Sequence, residues 1–153
     1  MDPTTTSSPT VEDTTTDHER DIAEIEQVIA DIETGFNTND ADLSVEHFTQ
    51  NATAVSVAGV HLSGRAALID AHRSLLAGAL RDQYARYAVS DVVFLRPDVA
   101  VAHKVAWATD ADGELLDVGH AMIALYVLVN EDGRWWVAAR QNTLVPPATA
   151  PPP

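Results

Sequence analysis

His103 and His120 are the residues in this chain best suited to proton transfer. Both lie in strand-like stretches of the C-terminal half, with Tyr126 and Gln141 further along. Imidazole exchanges protons near neutral pH, so two of them beside one substrate suffice for acid/base chemistry. One could take a proton from a carbon acid or a hydroxyl. The other, or Tyr126, could donate to the developing enolate oxygen while Gln141 orients a carbonyl. Phe36, Trp107, Tyr126 and Trp135 would supply flat apolar walls for a polycyclic or polyene ligand. The plainer alternative is that both histidines are packed, hydrogen-bonded core residues. His72 falls on a helix, facing core or pocket mouth. His47 has the same ambiguity, and His61 belongs to a strand or turn. A zinc site built on His103 and His120 lacks a third ligand, so no metal is expected. There is no glycine-rich phosphate loop, dinucleotide fingerprint or Ser/His/Asp motif, and no cofactor is expected.

These residues need strands in a defined register. Gly133 to Thr143 reads as the last strand, with Trp135, Val137, Ala139, Gln141 and Thr143 on one face. Trp136, Ala138, Arg140 and Asn142 take the other. A two-residue turn at Asp132-Gly133 sets Glu131 opposite Arg134, Leu128 opposite Val137 and Tyr126 opposite Ala139. The same kind of turn at Asp112-Gly113 sets His103 opposite Met122, with His120 on the same face. Val101, Val105 and Trp107 join them. The outer face then collects Ala100, Ala102, Lys104, Ile123, Leu125, Val127, Val129 and Trp136, with Arg140 beside them. That face is too apolar for a solvated one, and the expectation is a homodimer through it. Cover by the chain's tails is the alternative.

The first half reads as helices and a small hairpin. Thr16 and Glu19 have the spacing of a capping box ahead of Ile22, Ile25, Ile29, Ile32 and Phe36. Asp40 can cap a short second helix ending near Phe48. Ala52 to Val57 and the residues around His61 form short strands, and Ser63 can cap a third helix bearing Leu68, Ile69, Leu75 and Leu76. Four β-rich stretches follow, from Tyr84, Val99, Asp117 and Arg134. Helices followed by a meander make an α+β domain over residues 18–146. Residues 1–17 and 147–153, rich in Thr, Ser and Pro, are expected to be disordered tails.

With 153 residues and 46% hydrophobic content, one domain is expected. A net charge of −14 argues against nucleic acid or an anionic membrane as partner. No cysteine is present, which excludes disulfides and thiolate chemistry. With no basic-apolar leader and no membrane-length apolar run, a soluble cytoplasmic protein is expected. Arginine-for-lysine usage points to a GC-rich bacterial genome.

Several stretches carry a family likeness. They are Gly35-Phe36-Asn37-Thr38-Asn39-Asp40-Ala41, Gly59 through Leu62-Ser63-Gly64-Arg65, Leu95-Arg96-Pro97-Asp98-Val99 through His103, and Gly133-Arg134-Trp135 with Gln141-Asn142-Thr143. Over about residues 18–146 the chain resembles nuclear-transport-factor-2-like domains. This is the cone-shaped α+β fold of SnoaL-type cyclases, ketosteroid isomerases and scytalone dehydratase. It is most similar to the small SgcJ/EcaC-type proteins encoded near enediyne and other natural-product pathways. The resemblance implies N-terminal helices on a curved antiparallel sheet, with a pocket between them for a hydrophobic, polyketide-type ligand. It implies cyclisation, isomerisation or dehydration without a metal, or else carriage of the ligand, or assembly. The carboxylate base of the isomerases and cyclases has no counterpart here, for Asn51 occupies the position expected to hold it, and Asp91 is the remaining sheet aspartate.

Overall fold

The computed structural model describes residues 7–146. The Pro-rich tail expected over 147–153 and the first six residues of the N-terminal one lie outside them. Three helices, α1 (Glu19–Asn37), α2 (Ala41–Val45) and α3 (Arg65–Ala77), pack on six strands. The strands are β1 (Phe48–Val55), β2 (His61–Ser63), β3 (Tyr84–Arg96), β4 (Val99–Thr109), β5 (Ala121–Glu131) and β6 (Arg134–Val145). They form one curved sheet in the order β2-β1-β6-β5-β4-β3. The β1–β2 hairpin therefore does not stand apart from the meander: β1 pairs in parallel with β6 and extends it.

The helices follow their apolar spacing. Ile25, Val28, Ile29 and Ile32 of α1 are buried against the sheet, as is Leu68 of α3, and Leu76 of α3 is buried as well. Asp40 caps α2 as expected, accepting the Leu43 N–H at 3.0 Å. Two expected caps do not form. Helix α1 starts after His18, with no side-chain cap, and the Glu19 N–H goes to Asp17 Oδ1 instead. Helix α3 starts after Gly64, also without a side-chain cap. A Cβ on Gly35 would lie 2.4 Å from Ser44 Oγ, so α1 and α2 meet closely because that residue is glycine.

Three irregularities decide which way the strands face. Asp132 and Gly133, both at positive φ, make the expected two-residue turn, and Glu131 pairs with Arg134 and Leu128 with Val137. The register then slips by one, so that Val127 pairs with Ala139 and Tyr126 with Arg140, leaving Ala138 as the extra residue of a bulge. On β3 a second bulge at Ser90 sets Asp91 opposite His103. The third irregularity is the β4–β5 connection. It is a loop over residues 110–120, held by Asp110 Oδ1 accepting the N–H groups of Asp112 and Glu114 at 2.9 Å. A two-residue turn at Asp112-Gly113 was the expectation. The actual register pairs His103 with Leu125 and Ala106 with Met122, three positions away. An odd shift inverts a strand relative to its neighbour. Ala100, Ala102 and Lys104 accordingly face the helices and not the outside.

The core fills the sheet's inner face. Phe94, Tyr126, Leu128, Trp135 and Val137 pack against α1. His18 stacks on Phe94, with ring centres 3.7 Å apart, and Phe94 meets Trp135 edge-on. Asp13 of the leader donates its N–H to Phe94 O. No helix among the described residues is long and apolar enough to cross a membrane.

Candidate functional site

A cavity of about 490 Å³ lies between α1, α3 and the inner face of the sheet. Its walls are mainly apolar: Ile32 and Phe36 from α1, Leu75 and Leu76 from α3, Ala106 and Met122 from the sheet. Val57, Leu75, Val118 and Leu144 also border it while being 44–47% exposed, which gives the opening an apolar rim. His120 stands beside Val118 in the 110–120 loop, exposed and bordering the same space.

The polar groups come from the middle of the strands. Lys104 of β4 is only 2% exposed, and its Nζ sits 3.1 Å above the centre of the Tyr87 ring. Burial drives its pKa well below the ordinary lysine value, and the positive charge of Arg140 adds to this, against a partial opposing pull from Glu33. Glu33 is occupied by the backbone N–H of Tyr87 at 2.6 Å. Burial raises the phenols of Tyr87 and Tyr126, the latter to about 12 even with Arg140 beside it, so both stay protonated at neutral pH.

Arg140 enters the cavity because the Ala138 bulge turns it inward, opposite Tyr126. Its Nε is buried without a hydrogen-bond partner, as are Tyr126 Oη, Asn142 Oδ1 and Trp107 Nε1. Its guanidinium lies 5.2 Å from the Phe48 ring. His72 of α3 has Nδ1 2.7 Å from the Leu68 carbonyl. That oxygen can only accept, so Nδ1 carries the hydrogen. Burial, then the nearby Arg140 charge, lowers the His72 pKa to about 4, with the Leu68 bond opposing. At neutral pH the ring is uncharged and Nε2 keeps its lone pair. Among the described lining residues there is no carboxylate.

The residues singled out from sequence divide. Phe36, Trp107 and His120 border the cavity. Tyr126 lies behind the lining, fully buried. Trp135 is core, 1% exposed, with Nε1 donating to Asp21 at 2.9 Å. His103 and Gln141 are carried to the outer face by the register shift and the bulge. There both pair across to Leu125, and His103 Nδ1 meets Asp91 Oδ1 at 2.8 Å. Sequence reading missed His72, Lys104, Arg140 and Asn142 as a group. One signal was available: Lys104 is the chain's only lysine and stands mid-strand among Ala and Val. The other histidines are tied elsewhere, His47 to Asp31 and Arg134, His61 to Thr53. Among the described residues no cluster of three metal-ligating side chains forms.

The SnoaL-like domain family matches residues 17–141, most of the chain and all of the cavity except Asn142 and Leu144. The chain belongs to the SnoaL-like domain family. Solved structures agree on the architecture. A domain of unknown function with a cystatin-like fold from Nostoc punctiforme superposes with a TM-score of 0.75 at 18% identity, over 82% of this chain and 77% of its own. An uncharacterised protein with a cystatin-like fold from Caulobacter vibrioides gives 0.71 at 23%, over 82% and 90%. A ketosteroid isomerase-like protein from Erwinia carotovora atroseptica gives 0.67 at 19%, over 84% and 99%. No curated protein matches. Identities this low speak for the fold of this SnoaL-like domain and not for its reaction.

Proposed function

We propose that this SnoaL-like protein binds a hydrophobic small molecule in the cavity and moves a proton on it without a cofactor, in an isomerisation, cyclisation or dehydration. The observation that carries the reading is the meeting of a neutral His72, with Nε2 free, and the Arg140 cation in one apolar chamber. His72 would take the proton from a carbon acid or hydroxyl, and Arg140 would steady the oxygen on which charge develops. His120 stands at the opening, where it can return a proton. The size and flat walls suit a polycyclic or polyene intermediate, in keeping with the resemblance to SgcJ/EcaC-type proteins of natural-product pathways. The test is a thermal-shift screen of such polyketides with product analysis of each hit. A product lost in His72→Ala, with binding retained, is the expected result. Turnover unchanged in that variant removes His72 from the mechanism.

A carrier is the second reading. His72 is a weak base, and no carboxylate among the described lining residues stands ready to do its work. Saturable binding with no product from any hit, in wild type and variant alike, would favour it.

We also propose that the outer sheet face joins two copies. Val93 and Leu125 are 36% and 38% exposed there, with Val101, Val127 and Trp136 half-buried around them. Sedimentation at micromolar concentration should give twice the chain mass of 16.4 kDa. A monomer would end that proposal.

A further inference from the structure

We infer that the ligand of this cavity carries a carboxylate on its hydrophobic body, received deep in the chamber by Arg140 and Lys104. The inference rests on the binding reading above and names the ligand's chemical class. Two basic side chains face one apolar space, and among the described residues neither has an ion-pair partner. The nearby acid Glu33 lies outside the lining, accepts the Tyr87 N–H, and opposes only in part the lowering of the Lys104 pKa. A buried cation without a counter-charge is destabilising, and a fold keeps one where something else supplies the anion. The protein's own field works against any anion, at a net charge of −14. The Arg140 cation turned inward against that background, with the Lys104 amine beside it, defines a local site and not a general attraction.

The orphaned atoms say what the anion looks like. Arg140 Nε and the Tyr126 hydroxyl are buried donors without acceptors. A carboxylate offers two oxygens and about four lone-pair directions, and it fits the planar guanidinium fork. Tyr126 pairs with Arg140 across the strands from behind the lining, so it backs the guanidinium that meets the headgroup. Asn142 is two residues further along β6, on the same row. Its amide, turned over, offers an N–H to the same oxygens. Toward the opening the lining loses its charge: Val57, Leu75, Val118 and Leu144 form the rim. The ligand is thus oriented, acid inward and apolar body outward. The competing reading is that both basic side chains are structural, Lys104 being held on the Tyr87 ring.

The test compares 2-naphthoate with its neutral isostere 2-naphthamide by isothermal titration calorimetry at pH 7. The expected result is a preference for the carboxylate of about tenfold or more. Arg140→Gln should erase the preference, lowering naphthoate affinity about tenfold more than naphthamide affinity. Should Arg140→Gln fail to fold, Arg140→Lys keeps the charge without the fork and should retain part of the preference. Equal affinity for the two compounds, or a preference that survives Arg140→Gln, overturns the carboxylate assignment and leaves the binding pocket standing. Failure of both compounds to bind overturns the assignment together with the pocket reading on which it rests.

Discussion

His72 and Lys104 are held in the forms that suit the cavity and not those that suit stability. His72 has a folded-state pKa of about 4 against an ordinary 6.5. The unfolded chain therefore binds the extra proton between those values, and the His72 contribution, complete above pH 6.5, is lost as pH falls toward 4. Wild type should lose roughly 2–3 kcal/mol more than His72→Leu between pH 7 and pH 4, measured by urea melts. Parallel pH profiles would contradict the placement of that ring. His18 behaves oppositely. Burial lowers its pKa, but hydrogen bonds and charge from Asp21 and Asp13 outweigh that and raise it. Its contribution is complete below 6.5 and fades as pH rises through the folded value, so it does not mask the acid-side slope. Lys104→Met removes a buried amine and keeps the volume, so the melting temperature should rise by a few degrees, about 1 kcal/mol or more. A fall would mean that the contact with Tyr87 outweighs the burial of the amine.

At the scale of elements, much was legible. The α1 stripe, the Asp40 cap, the Asp132-Gly133 turn and the order of helices and strands all follow from local residue chemistry. The faces of β4 and of the second half of β6 were not. Ala138 makes a bulge with no glycine and no polar mark to announce it, and Asp112-Gly113 has the composition of a tight turn inside a longer loop. Each hides an odd offset, and in a strand an odd offset exchanges every inward residue for an outward one. That is why His103 and Gln141 changed places with Lys104 and Arg140. Gly35 tests the helix side of the same architecture. Gly35→Ala would press a methyl into Ser44, whose backbone N is 2.7 Å from the added carbon. A loss of about 1–3 kcal/mol is expected, read by chemical denaturation. A neutral substitution would show that α1 and α2 are not so closely packed.

At the scale of the whole molecule, three regions lie apart. The lower core, around Trp135, holds the sheet to α1. The outer face is the one proposed to meet a second copy. The cavity between α1, α3 and the inner sheet face is the one proposed to take a ligand. The three tryptophans report on these regions one each. Trp107 borders the cavity with a buried, unpartnered Nε1. Trp135 Nε1 is bonded to Asp21 in the core. Trp136 lies on the outer face under the Arg134 guanidinium, 3.7 Å from its ring centre. The most direct test is therefore an amide and indole nitrogen–proton correlation spectrum titrated with 2-naphthoate. Ligand in the cavity should shift the Trp107 indole signal progressively and saturably while those of Trp135 and Trp136 stay in place. Movement of Trp136 with Trp107 unchanged would put the ligand on the outer face and contradict the assignment of the cavity as the binding site.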